Sequence, residues 1–138
     1  MQKFLHVGCG YKRKIQTTKG FNTEAWTEVR FDIDKEVNPD ICGSMTDMSV
    51  LEDASYDAIF SSHNIEHLFP HEVPKAFYEF HRVLNEAGFA IITCPDLKSV
   101  CQLVAEDRLM TTVYHSPAGP IPPLDMLYGL RPSLERGQ

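Results

Sequence analysis

Five short runs of apolar residues, each closing on glycine, carboxylate or small polar residues, set the rhythm of the first two thirds of the chain. Phe4-Leu5-His6-Val7 runs directly into Gly8-Cys9-Gly10. That is the pattern of a buried parallel strand over residues 3–7, whose end turns so tightly that a ligand can lie against bare backbone. Glu28-Val29-Arg30-Phe31-Asp32-Ile33-Asp34 alternates as a strand and ends in carboxylates. A very short run at residues 39–42 opens into Gly43-Ser44-Met45-Thr46-Asp47-Met48, and a fourth strand over residues 56–61 leads into Ser62-His63-Asn64-Ile65-Glu66-His67-Leu68. The fifth covers residues 89–93 and stops at Cys94-Pro95. Between the fourth and fifth, Val73, Ala76, Phe77, Phe80, Val83 and Leu84 recur at three and four, predicting a helix over residues 72–85 with these side chains inward and Gly88 just past its end. A second helix is predicted at residues 97–107, with Val100, Leu103 and Val104 inward and Asp96 as its cap. Strands alternating with helical stretches predict an α/β fold with a parallel sheet.

Residues 11–23 interrupt this rhythm. They are basic, then rich in Thr and Gly, with no apolar stripe, so a loop is expected where a crossover helix would normally stand. Trp26 is expected to anchor packing ahead of the second strand. From residue 111 the chain turns Pro-rich, with Pro117, Pro120, Pro122 and Pro123, then a short helix at 124–128.

In open α/β sheets ligands sit beyond the carboxyl ends of the strands, and an acid at the tip of the second strand can hold the hydroxyls of a ribose. The two-residue period puts Asp32 and Asp34 on one face, so either can reach a sugar or cap the turn before Pro39. Asp47 can cap the turn at 48–52 or stand beside a purine.

In their order and spacing these segments resemble the class I methyltransferases of the type 11 group, which use S-adenosylmethionine. The resemblance covers residues 3–105: His6 to Gly10 is similar to the first motif, Asp32 to the ribose acid, Asp47-Met48 to the pair beside the adenine, Tyr56-Asp57-Ala58-Ile59 to the fourth strand, Ile65-Glu66-His67-Leu68 to the motif after it, and residues 83–89 to the helix-to-strand corner. It implies a Rossmann-like, mostly parallel five-stranded sheet of order 3-2-1-4-5 with helices packed on it and the final two strands of that fold missing. It implies S-adenosylmethionine as cofactor, held by Val7, Gly8, Cys9, Gly10, Asp32, Ile33, Met45, Asp47, Met48, Ser62 and His63. Residues 1–110 would form the cofactor domain, with residues 111–138 as a Pro-rich lid whose Tyr114, His115 and Tyr128 meet substrate. Two departures stand out. His6 replaces an acid that supports the methionine end of the cofactor, and the helix after the glycines is missing.

Methyl transfer from a sulfonium is an in-line displacement that needs alignment and exclusion of water more than a covalent side chain. A hydroxyl or amine acceptor also needs a base, for which His63 is the first candidate and His67 the second. Two other functions compete. His63-Asn64-Ile65-Glu66-His67 fits H-x-x-E-H, a zinc-peptidase pattern that requires both His on successive turns of a helix. A cofactor-binding domain without catalysis is the other.

Length and charge narrow the picture further. With 138 residues the chain makes one domain, short for a seven-stranded methyltransferase and so either minimal or truncated, and a net charge of −6 offers nucleic acid no general attraction. The basic cluster Lys12-Arg13-Lys14 stands without interleaved aromatics and is expected to be a solvated loop. Cys9, Cys42, Cys94 and Cys101 form no C-x-x-C pair, and the first three fall at strand ends, as buried thiols of a cytoplasmic protein do. No apolar stretch is long enough for a membrane span. The expected partner is a small-molecule acceptor, with the edge of the fifth strand covered by a second copy or by residues 111–138.

Overall fold

The computed structural model describes residues 1–116 and 119–129. It contains two compact units, Met1–Cys94 and Pro95–Gln138. The division falls ahead of the second predicted helix, whereas the sequence places the compositional change at residue 111.

In the first unit β1 (Gln2–Val7), β2 (Trp26–Asp32), β3 (Ile41–Cys42), β4 (Tyr56–Ser62) and β5 (Leu84–Thr93) form one sheet of order β3-β2-β1-β4-β5, every pairing parallel. This is the 3-2-1-4-5 Rossmann-like arrangement. Val7 lies opposite both Phe31 and Ser61, so the tips of the three central strands end level.

Strand β1 is buried on both faces. Leu5 and Val7 face a core shared with Phe31, Met48, Leu51 and Ile59, which α1 (Val73–Val83) closes with Phe80 and Val83. Phe4 points the other way, toward Phe21, Ala58 and Phe60. No helix of this unit covers that second face. Phe21 of the loop does the covering: its ring stacks on Phe4 at 4.3 Å and meets Trp26 edge-on at 5.0 Å. Trp26, placed ahead of the strand by the sequence, is its first residue and packs there as an anchor.

Helix α1 stops short of the predicted 72–85. Leu84 is already extended, with ψ 139°, and pairs with Tyr56 as the start of β5. Asn85 draws the chain out of the helix by donating to Asp57 Oδ1 at 2.6 Å and accepting from the Ala87 amide at 3.1 Å. The register then shifts between Tyr56 and Ala58. Gly88 is therefore no helix stop. A Cβ there would lie 2.9 Å from the Leu84 side chain, so the close approach of that turn is what calls for glycine. Phe77 is also corrected: it is 47% exposed, while Ala76, Phe80 and Val83 supply the buried stripe. Residues 48–52 form turns without a helix, tied to α1 by Arg82, which donates to Met48 O at 2.8 Å, Leu51 O at 2.9 Å, and the carboxylates of Asp53 and Glu79.

The second unit holds α2 (Leu97–Ala105), the antiparallel pair β6 (Tyr114–Ser116) and β7 (Gly119–Ile121), and α3 (Pro123–Tyr128). Asp96 caps α2, accepting from the Lys98 amide at 3.0 Å. The hairpin was not foreseen from the sequence, because a strand of Gly119-Pro120-Ile121 reads as turn. Residues 117, 118 and 130–138 lie outside the described residues, and with them the end of the predicted lid.

Truncating Phe80 to alanine is expected to cost about 3–5 kcal/mol of stability, whereas Phe77→Ala should stay within about 0.5 kcal/mol. Urea unfolding of both variants checks this, and equal losses would refute the assignment of the two rings.

Candidate functional site

Every second residue at the end of β2 is charged: Glu28, Arg30, Asp32. Alternation puts all three on the same side of the strand, and a buried charge needs partners. Each finds them in the loop that follows β1. Asp32 Oδ2 accepts from the Gly10 amide at 2.7 Å, and its other oxygen accepts from the Asp34 amide at 2.9 Å. Arg30, 1% exposed, donates to the carbonyls of Gly10, Lys12, Val37 and Asn38. Glu28 accepts from the Lys14 amide at 2.9 Å and from His6 Nδ1 at 2.7 Å. Lys14 in turn donates through Nζ to Thr23 O at 3.0 Å and Trp26 O at 2.9 Å. Lys14 is thus a structural tether, and only part of the basic cluster is a solvated loop.

The bend at Gly8-Cys9-Gly10 turns its donors inward. The amides of Gly8 and Cys9 donate to Phe31 O at 2.9 and 3.3 Å, and that of Gly10 goes to Asp32. Both glycines are left-handed, with φ +63° and +51°. Their roles differ. A Cβ on Gly8 would lie 2.2 Å from the Asn64 side chain, whereas one on Gly10 would meet nothing within 4 Å.

A cavity of about 220 Å³ opens beside this bend, walled by Val7, Gly8, Phe31, Asp32, Ile33, Gly43, Ser44, Met45, Asn64, His67 and Leu68. It is smaller than the roughly 300 Å³ at which small-molecule pockets usually begin. Of the residues named from the sequence, Val7, Gly8, Asp32, Ile33, Met45 and His67 stand on this wall. Gly10 lies behind it, holding Asp32. Asp34 does not line it: its carboxylate accepts from the Glu36 amide and caps the next turn. Asp47 is exposed and accepts from the Ser49 amide at 3.1 Å.

Met48, Cys9, Ser62 and His63 also stand off the wall. Met48 is fully buried among Leu5, Leu51 and Phe80 in the sheet core, where apolar transfer draws it. The Cys9 side chain is likewise buried, and burial pushes its thiol up to about 11. Cys42, which ends β3, and Cys94, which follows β5, are exposed free thiols, contrary to their expected burial; Cys101, on α2, is exposed as well. Ser62 pairs through its hydroxyl with Thr93 at 2.8 Å. His63, left-handed at φ +59°, is anchored by its amide on Thr93 O at 2.9 Å, and its Nδ1 lies 3.6 Å from Glu66. Phe31, Gly43, Ser44, Asn64 and Leu68 are the wall residues that pattern reading missed. Asn64 carried a signal, a polar amide two residues past a buried strand, and Leu68 closes the motif that follows it.

The zinc-peptidase pattern lacks its helix. Residues Ile65–His67 form one short 3-10 turn with His63 outside it, and no three His, Cys, Asp or Glu side chains among the described residues are grouped to hold a metal. His6 is 1% exposed, against Phe4 and edge-on to Phe60 at 5.2 Å. Burial lowers its pKa against the opposing pull of the Glu28 carboxylate, with Arg30 and Lys12 adding to the lowering.

The sequence profile of the methyltransferase domain family matches residues 5–92, which takes in the bend, Asp32 and the cavity wall. This chain belongs to that family. The cofactor of the family is S-adenosylmethionine. Among solved structures, the PH0226 protein of Pyrococcus horikoshii superposes with a TM-score of 0.58 at 21% identity, over 81% of this chain and 57% of its own. A SAM dependent methyltransferase from Archaeoglobus fulgidus superposes with 0.58 at 18% identity, over 75% and 49%. At such identities the likeness speaks for the fold. The chain spans about half the length of these two structures. No curated protein matches the sequence.

Two outcomes follow for this methyltransferase domain. Gly8→Ala combines left-handed strain with a collision against Asn64 and should lose about 2–4 kcal/mol, while Gly10→Ala should lose about 1 kcal/mol from strain alone. Denaturant unfolding reads the difference, and equal losses would contradict the packing of Asn64 on Gly8. A buried imidazole with a lowered pKa binds its proton more weakly in the folded chain than in the unfolded one. Its contribution is present above the ordinary value of 6.5 and is lost as pH falls below it. The thermal midpoint should therefore drop between about pH 7 and pH 5 in the wild type and drop less in His6→Gln. Parallel profiles would rule the mechanism out.

Proposed function

We propose that this chain binds S-adenosylmethionine in the strand-tip cavity and transfers its methyl group to a small-molecule acceptor. The observation that carries the reading is the pairing of Asp32 with the Gly10 amide beside the Gly8 and Cys9 amides turned onto Phe31 O. A dinucleotide or nucleotide site needs free backbone N–H groups and a helix start to meet phosphate oxygens. Here those donors are taken and a loop follows the bend. What faces the cavity is a carboxylate with spare lone pairs, suited to ribose hydroxyls, beside the apolar surface of Phe31, Ile33, Met45 and Leu68, suited to a base.

Bound there, S-adenosylmethionine supplies an electrophilic methyl group on a sulfonium. The chain's own part is to align and desolvate. Asp32 fixes the sugar, Val7 and Leu68 exclude water, and Gly8 leaves room at the strand tip. The methyl group would pass to an acceptor lone pair, with the carbon–sulfur electron pair returning to sulfur. For a hydroxyl or amine acceptor, His67 takes the released proton, and its place on the cavity wall favours it over His63. A second copy of the chain covering the edge strand β5 completes the proposal.

Calorimetry tests it directly. The wild type should bind S-adenosylmethionine and S-adenosylhomocysteine, and Asp32→Asn should weaken both by about 10–100-fold, the worth of charge-assisted hydrogen bonds. Unchanged affinity in Asp32→Asn, or wild-type preference for NAD or ATP, would sink the proposal.

A further inference from the structure

The chain leaves the cavity wall at His67 and Leu68 and runs at once into Phe69-Pro70-His71. Phe69 is 68% exposed and belongs to neither core. A single ring in solvent calls for no account by itself, but this one is held in place. Its amide donates to Glu72 Oε2 at 2.9 Å, and its carbonyl accepts from the Glu72 amide at 2.8 Å. Pro70 behind it restricts its backbone to extended conformations. The His71 ring lies parallel to it, 9° apart, with the centroids 5.9 Å from each other. A fixed aromatic unit is thus presented where the wall meets solvent.

The partner that suits such a unit is a flat ring. Aromatic faces attract one another beyond the area they bury, whereas a saturated ring of the same size gains burial alone. The base adds a second constraint. His67 stands on the wall two residues before Phe69, and its imidazole has no carboxylate partner among the described residues, since Glu66 faces His63. Proton transfer to an unaided imidazole is efficient only from an acid whose pKa lies within a few units of its own. A phenol, at about 10, falls in that range, and an aliphatic alcohol, close to water, does not. The ring and the hydroxyl that the two side chains ask for meet in one class of molecule.

Resting on the methyl-transfer reading above, we propose that the acceptor is a phenol, its ring stacked on Phe69 beside His71 and its hydroxyl at His67. The phenolic oxygen bonds to the methyl carbon, the carbon–sulfur electron pair returns to sulfur, and His67 takes the proton. The products are an aryl methyl ether and S-adenosylhomocysteine. Phe69 then determines specificity, and His67 is catalytic.

The test uses 2-naphthol and its saturated counterpart decahydro-2-naphthol, titrated by calorimetry into the chain loaded with S-adenosylhomocysteine. The wild type should bind the aromatic probe about fivefold more tightly or better, and Phe69→Leu, which keeps apolar bulk and removes the ring, should bring the ratio within about twofold. A ratio that survives in Phe69→Leu, or binding of neither probe, would overturn the proposal. Circular dichroism establishes that the variant is folded. Should it not fold, the wild-type ratio decides, with a clear aromatic preference in support and unity against. Tritiated methyl from S-adenosylmethionine should reach the oxygen of 2-naphthol and not that of decahydro-2-naphthol, and His67→Gln should slow the transfer by about 100-fold. Binding of 2-naphthol without transfer, equal transfer to both probes, or an unslowed His67→Gln also counts against it. Failure to bind S-adenosylhomocysteine removes the cofactor reading itself, an outcome distinct from a loaded chain that refuses both probes.

Discussion

Gly10 is gripped on both sides by one strand: its N–H by Asp32 and its carbonyl by Arg30, two residues apart on β2. The arrangement of the strand-tip site depends on this clamp. In folds of this kind a helix after the first glycine turn satisfies its own backbone groups and covers one face of the sheet. Residues 11–23 have no apolar stripe to hold a helix there, so the loop's polar groups need side chains. The row Glu28, Arg30, Asp32 supplies them, each reaching the loop opposite. Lys14 extends the same accounting to Thr23 and Trp26. Charge-assisted hydrogen bonds are about twice as strong as neutral ones, which suits them to a segment that lacks a ladder of its own.

The covering of the sheet is divided accordingly. Phe21, carried by the loop, supplies the apolar contact that a helix would otherwise give to Phe4 and Phe60. On the opposite face α1 brings Phe80 and Val83 onto a core of ordinary type, and Arg82 ties the turns at 48–53 to the helix. The two faces thus rely on different forces, mostly burial under α1 and mostly directed polar bonds beneath the loop. His6 sits where these meet. It is packed among aromatic rings yet bonded to Glu28, so its protonation bears on the loop as well as on the core.

Much of the fold was legible in the pattern of short apolar runs. All five strands, their parallel order through the family resemblance, and both longer helices stand where periodicity puts them, because burial on one or two faces dictates it. The limits of that reading are physical. Leu84 fits the helical stripe by spacing, yet Asn85 pulls the chain into β5 through a bond to Asp57, a residue distant in sequence. Phe77 has the right period and lies at the margin of the stripe, where packing against the sheet decides the outcome. In the site, Asp32 and Asp34 were equivalent by alternation, and only the turn that Asp34 caps separates them. Met48 illustrates the converse: a motif position assigned to a base became core because the 48–51 turn rotates it inward. The charged row on β2 was visible in the sequence as an anomaly in a buried strand, and such breaks in local consistency are where functional or supporting roles concentrate.

The same clamp determines what the site can recognise. With the Gly8 and Cys9 amides on Phe31 O and the Gly10 amide on Asp32, β2 takes up the donors that would meet an anion and leaves the Asp32 carboxylate on the cavity wall. A phosphate placed there would face lone pairs with no N–H to offset them, a repulsion that grows in a partly desolvated cleft. A ligand with hydroxyls and positive charge meets the opposite balance. The balance of donors and acceptors at the strand tip thus follows from the direction in which three backbone amides point, two set by the Phe31 carbonyl and one by the Asp32 side chain.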